Sequence, residues 1–251
     1  MLLNAKKIHG FTLSCLDGEI GTVRDILFDD LRWTVRYLVI ETGSWLVGKQ
    51  VLISPHAITA IDEKGLRIQV NLTKKQIEDS PLLDSDRPVS LQFEEQYYGY
   101  YQWPMYWAGP FMWDPVPSLA SSKEIRKAAN KRKSRDDHHL RSTRHVTGYA
   151  LMAEDGEVGE VDDFIINDHT WAIEYMLIST GNWWSGKNVL IAPRWTESIN
   201  WAESKVFVRV SRAVIKESPE LASESLISRD YEERLHRHYQ HKGYWDDKLP
   251  A

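Results

Sequence analysis

Residues 43–49 and 181–187 both fit the spacing Gly-(x)4-Gly-Lys, the pattern of a loop whose backbone amides cradle phosphates. That chemistry needs a Ser or Thr next, to reach a magnesium ion, and a helix directly after, whose N-terminus faces the anion. Gln50 and Asn188 follow instead, and each opens a β-type run. Both segments therefore read as glycine-bounded hairpins, and no nucleotide hydrolysis is expected. Asp17, Glu19, Asp25, Asp29 and Asp30 are scattered over turns and strand ends. Turn chemistry accounts for Asp17 and Asp29, because Asp accepts from its own downstream backbone. His236, His238 and His241 crowd the end of the chain, but only His238 and His241 share a helical face. They read as a solvated polar face and not as a metal site. Cys15 stands alone and reads as packing. No catalytic, cofactor-binding or metal-binding residues follow from these patterns.

Residues 97–113 hold nine aromatics in seventeen positions, with no Lys or Arg among them. Stacking on single-stranded bases would need interleaved cations. Tyr and Trp join large apolar area to a polar tip, which suits interfaces.

These side chains must be positioned by elements, and the elements come twice. Shifted by 138 residues, the chain aligns on itself without a gap, with 35 of 98 positions identical between 10–107 and 148–245. A repeat of this length means two domains of one fold. The reading is domain 1 over 1–107, a linker over 108–145 and domain 2 over 146–251. In the first copy Asp17-Gly18 is a hairpin turn between apolar runs, followed by a β stretch through Phe28. Trp33–Ile40 is the best strand, rich in β-branched and aromatic residues. Val51–Ile53, Ile58–Ile61 and Leu66–Val70 complete a set of short strands. Short strands with short turns predict a mainly β fold: two tandem small antiparallel barrels. Each is followed by a short amphipathic helix, since Phe93, Tyr97 and Tyr101, like Tyr231, Leu235 and Tyr239, stand at i, i+4, i+8. The stripe docks on its own barrel or meets a partner. Pro110, Pro115 and Pro117, then Lys131–Arg135, predict a mostly unstructured linker with room for a short helix near 123–130.

The formal charge is −5, divided as about −3, +5 and −7 over residues 1–107, 108–145 and 146–251. Two acidic domains around a basic linker do not suit nucleic acid. No apolar run approaches a membrane span, and the N-terminus lacks a signal peptide's order. With one cysteine the chain reads as cytoplasmic; a peripheral membrane contact stays open.

The block Gly-(x)6-Asp-Gly-Glu-x-Gly-x-Val-x-Asp at 10–25, the strand Tyr37–Ile40 and the Gly43–Pro55 hairpin resemble the PRC-barrel domain. The second copy repeats them over 148–163, 175–178 and 181–193. That family's small β-barrel occurs in the cytoplasmic part of the photosynthetic reaction-centre H subunit, in a maturation factor of the small ribosomal subunit and in stand-alone bacterial proteins. The resemblance implies no catalytic residues. On this reading neither the H subunit's membrane helix nor the ribosome factor's separate N-terminal domain is expected here.

The resulting expectation is a bacterial, non-catalytic binding or scaffold protein without cofactor, whose protein partner is unnamed. The alternatives are a membrane-complex subunit like the H subunit and an RNA- or ribosome-associated factor. Gly18, Gly21, Gly43, Gly48, Gly156, Gly159, Gly181 and Gly186 are read as structural, with Gly21 and Gly159 serving a bulge or a close strand approach. Phe93, Tyr97, Tyr101, Tyr106 and Trp107, with Tyr231, Leu235, Tyr239, Tyr244 and Trp245, are read as lining an interface. That interface lies between the two barrels or in a homodimer.

Overall fold

The computed structural model describes residues 1–43, 46, 50–81, 89–106, 139–181, 186–221 and 227–246. The expected linker, apart from 139–145, lies outside them, as do Gly48 and Trp107. The first half runs β1 (Leu2–Asn4), α1 (Ala5–Ile8), β2 (Thr12–Cys15), β3 (Gly18–Asp29), β4 (Thr34–Glu41), β5 (Gln50–Ile53), β6 (Ile58–Asp62), β7 (Arg67–Val70), α2 (Lys74–Glu78) and α3 (Leu91–Tyr101). The second half runs β8 (Leu140–Ser142), α4 (Thr143–Val146), β9 (Ala150–Ala153), β10 (Gly156–Asn167), β11 (Ile173–Ser179), β12 (Asn188–Ile191), β13 (Thr196–Asn200), β14 (Lys205–Val208), α5 (Arg212–Glu217) and α6 (Arg229–His238). The architecture is mainly β: two seven-stranded sheets with few helices, consistent with two tandem barrel-like domains.

One compact unit holds the described residues from 7 to 142, and the other holds residues 1–6 with those from 143 onward. The boundaries therefore differ from the reading at 107 and 146. Residues 1–6 belong with the second copy, and 139–142 belong with the first. In the first unit the strand order is β5-β4-β3-β2-β7-β6, with β8 on β3. All its pairs are antiparallel except β2 with β7. The second unit repeats this as β12-β11-β10-β9-β14-β13, with β1 on β10 and one parallel pair, β9 with β14. A purely antiparallel barrel was expected; the parallel pair arises because β2 and β7 are not joined by a hairpin.

β4 is buried along nearly its whole length, because both of its faces are covered. Tyr37 and Val39 pack with Leu52, Val89, Tyr97, Tyr98 and Tyr106 under the coda helix. Residues alternate across a strand, so Leu38 and Ile40 (both fully buried) point the other way, into the barrel. Trp33 was read as the start of this strand. It sits instead in the left-handed region, φ 52, with its amide on the Asp29 carbonyl and its ring stacked 5.0 Å from Phe28. Trp171 repeats the conformation at φ 57.

Thr73 caps α2 with a full capping box, and Ser90 and Ser228 cap α3 and α6 through the amides of Phe93 and Tyr231. In the second unit Tyr231, Leu235 and Tyr239 are all buried. Truncation after Ser228 is therefore expected to remove a helix that closes its own core. Its Tm should fall by on the order of 15 °C in a thermal melt. An unchanged melt would show that the helix is dispensable.

Candidate functional site

Each copy holds a buried polar cluster between the central strand and the coda helix. It begins with a bulge. Opposite Leu27 and Phe28, β4 supplies Tyr37 and Val35, which leaves Arg36 as the extra residue. Opposite Ile165 and Ile166, β11 supplies Tyr175 and Ile173, which leaves Glu174 extra. A bulge re-aims the side chain it carries. In both copies it sends a charged residue inward: Arg36 and Glu174 are each 3% exposed. The two occupy equivalent positions and carry opposite signs.

In the first copy the Arg36 guanidinium lies 3.6 Å from Asp29 Oδ2 and 3.9 Å from the centre of the Tyr106 ring. Burial alone would raise the Asp29 carboxyl. The Arg36, His139 and Arg32 charges, with the Leu31 amide, outweigh it and hold the group below its usual range. In the second copy Asn167 replaces Asp29 and Glu174 replaces Arg36. Glu174 meets Arg194 at 3.5 Å and accepts from Asn167 Nδ2 at 3.4 Å. A charge reversal at the bulge is thus answered by loss of one acid and gain of a cation where the first copy has His56.

A second carboxylate pins the helix. Glu94, fully buried on α3, accepts from Tyr37 at 3.0 Å and from Tyr106 at 2.9 Å. His139 Nε2 lies 3.0 Å from the other oxygen of Glu94 and 2.7 Å from the Tyr106 hydroxyl. The one Tyr106 proton is committed to Glu94, so Nε2 of His139 must carry a proton and donate. At the equivalent place Glu232 accepts from Tyr175 at 2.9 Å and from Tyr244, and pairs with Arg229 at 3.1 Å. Tyr175 also meets His236 Nε2 at 2.9 Å, while His236 Nδ1 donates to the Lys242 carbonyl at 2.8 Å. Tyr175 has one proton for two contacts, so a second must sit on Glu232 or on Nε2. Burial holds His236 down at about 4 and pushes Glu232 upward.

Glu174 gives this cluster a pH dependence. Burial raises its carboxyl from 4.5 to about 7, against the pull of Arg194 and Arg229 and with a push from Glu232. The folded chain then keeps a proton that the unfolded chain releases. The stability linked to Glu174 is complete below about pH 4.5 and is lost as pH rises toward and past 7. Between pH 5 and 7.5 the second copy should lose on the order of 2 kcal/mol. Urea titrations of wild type and Glu174→Gln across this range check it: the slope should flatten in the variant.

Outside the cluster, an open groove of about 480 Å³ is lined by Trp195, Arg194, Arg209, Tyr239 and His241, among others. His241 stacks on Trp195 at 5.3 Å, and Arg209 pairs with the exposed Glu197 at 2.9 Å. Arg194 is itself paired with Glu174 at 3.5 Å, and Glu197 lines the groove as well, so an anionic group entering it would compete with both carboxylates for the two guanidiniums.

The PRC-barrel domain model matches residues 16–77. The PRC-barrel match runs from the turn after β2 to α2, and the cluster's strand Thr34–Glu41 lies within it, whereas α3 lies beyond. An uncharacterised protein of Deinococcus radiodurans is similar as well, 32% identical over 93 residues. The alignment covers 32% of this chain and 33% of that protein, so the chain spans about a third of the relative's length.

The residues singled out in the sequence fall as follows. The PRC-barrel match holds Gly18, Gly21 and Gly43, all with positive φ; Gly156, Gly181 and Gly186 also have positive φ. Gly21 lies in β3 and Gly159 in β10, each beside a register shift against the preceding strand. The residues read as an interface are largely used inside their own copy. Tyr97, Tyr106, Tyr231, Leu235 and Tyr239 are buried; Phe93, Tyr101, Tyr244 and Trp245 are half-buried. Tyr97 even replaces a strand: its hydroxyl donates to the Leu52 carbonyl at 2.8 Å and accepts from the Ser54 amide at 3.2 Å. The position is Leu235 in the second copy, which has no such group. The loop lysine Lys187 donates to the Lys216 carbonyl at 2.9 Å and to that of Ser218, so it ties down α5, and strands follow both loops. Asp17 and Asp155 accept from the first amides of α2 and α5, at 2.8 and 2.7 Å, instead of closing their own turns. His236 corrects the solvated-face reading, since it is 3% exposed. Sequence reasoning missed Arg36, Glu174, Glu94, Glu232 and His139. The available signal was the acid repeated at 94 and 232, one residue past the start of each apolar stripe.

Proposed function

We propose that the chain is a non-catalytic binding and scaffold protein built from two tandem PRC-barrel copies. The observation that carries this reading is the fate of the acid–base groups. In both copies the carboxylate, the histidine and the tyrosines that could shuttle protons, all buried except the half-buried Tyr244, are bonded to one another between the coda helix and the sheet. A general base must reach a substrate proton; Glu94 and Glu232 instead fasten a helix to a sheet. What each copy offers outward is a stiffened barrel surface, and in the second copy the groove with Arg194 and Arg209 supports a partner that brings an acidic group.

The test immobilises the full chain against lysate of its source cells at rising salt, beside Arg209→Glu. A partner retained by wild type, released by salt and missing from the variant is expected. Incubation with a metabolite mixture should leave every component unchanged. Turnover that disappears in Glu232→Gln would replace this reading with an enzyme.

A further inference from the structure

The inference rests on the two short strands that no periodicity announced. β1 runs antiparallel on β10, with Leu2 opposite Asn167, Leu3 opposite Ile166 and Asn4 opposite Ile165. β8 runs antiparallel on β3, with Leu140 opposite Asp29, Arg141 opposite Phe28 and Ser142 opposite Leu27. Under the 138-residue shift, 2–4 become 140–142 and 27–29 become 165–167. The two pairings are one pairing, made twice in the same register. In each, the strand comes from the segment that leads the other copy.

The acceptors are equivalent too. Asp163 takes Asn4 Nδ2 at 3.1 Å and the Lys6 amide at 3.0 Å; its counterpart Asp25 takes the Ser142 hydroxyl at 2.6 Å. Lys6 also pairs with Asp162, and Arg141 pairs with Asp30 at 2.9 Å. The arm on β10 carries Leu3 and Ala5, each 4% exposed or less, within the compact unit of the second copy. Without an arm, the second half of β3 or β10 would present open backbone groups, an edge that recruits another strand.

We propose that these edges of β3 and β10 are strand-acceptor sites whose partner is the leading arm of a second copy of the barrel. The two halves of this chain are then each other's binding partner and do not need the peptide link between them to stay together. Exchange of identical elements between copies is a low-cost route to a twofold assembly, and here both exchanges lie within one chain. Joining the copies holds each arm at a high effective concentration near its acceptor. The proposal goes beyond the binding reading above and stands whatever the protein's outside partner is.

The test inserts a specific protease site between Pro117 and Ser118 of the full chain and cuts it. The fragments are expected to co-elute at the mass of the uncut chain in size exclusion at micromolar concentration, and to separate only in denaturant. Fragments that elute apart without denaturant would overturn the proposal. A second measurement does not depend on elution. Leu3→Cys with Ile166→Cys, in a Cys15→Ser background, places thiols on directly opposed residues. After oxidation and cutting, the fragments should run as one disulfide-linked band that splits on reduction. Thiols that stay free under oxidant would place the arm elsewhere and overturn the acceptor edge.

Discussion

Gly21→Val should unfold the first copy at a temperature lower by on the order of 12 °C, a loss of about 3 kcal/mol. A Cβ on Gly21 would lie 2.1 Å from the Glu41 carbonyl oxygen and 2.9 Å from the Glu41 carbonyl carbon and Thr42 Cα. All three are backbone atoms, so no rotamer change relieves the clash. Either β3 and β4 part where Thr22 faces Glu41, or the bulge opposite Leu13 is lost. Gly159→Val repeats the experiment in the second copy, where the nearest atoms are the Ser179 oxygen at 2.1 Å and Thr180 Cα at 2.9 Å. Gly43→Ala is the control. Its Cβ would meet nothing within 4 Å, but its φ of 59 favours glycine, so a cost of about 1 kcal/mol is expected. Thermal melts followed by circular dichroism should rank Gly21→Val well below Gly43→Ala. Equal melts would remove the close-approach argument.

Glu94→Ala is expected to be as severe, at about 3–5 kcal/mol. The substitution leaves the buried Tyr37 and Tyr106 hydroxyls without their acceptor and His139 without its carboxylate. Each orphaned group then bears a desolvation cost. Glu94→Gln keeps one acceptor oxygen and should lose about half as much. Tyr37→Phe removes one donor and should lose about 1–2 kcal/mol. Urea unfolding gives the order, and near-ultraviolet circular dichroism should report loosening of the rings around Tyr97 and Tyr98. If Glu94→Ala melted like wild type, the pin would contribute nothing and the carboxylate would need another purpose.

Most strands were legible because their signals are local. An Asp-Gly turn, a β-branched run at 33–40 and a proline after Ile53 each act within a few residues. The gap-free repeat then required the second copy to follow the first. The two coda helices were legible from their stripes and serine caps. The arms at 2–4 and 140–142 were not, because three residues are too few to carry a period, and their partners stand 161–165 and 111–115 residues away. The cluster was half legible. Tyr37 and Tyr106 were noted as strand and aromatic residues, but the inward turn of Arg36 depends on a bulge set by the facing strand.

The sequence by itself determined that there are two β domains of one fold, where their turns fall and which helix faces are apolar. These follow from φ preferences and side-chain period, which neighbours along the chain impose. Tertiary structure alone decided that the coda tyrosines are spent within their own copy, that an inward arginine in one copy is a glutamate in the other, and that each sheet takes its last strand from the segment leading its twin. Such pairings depend on which distant groups can satisfy a buried charge or an open edge, and that becomes definite only once the chain has closed around them.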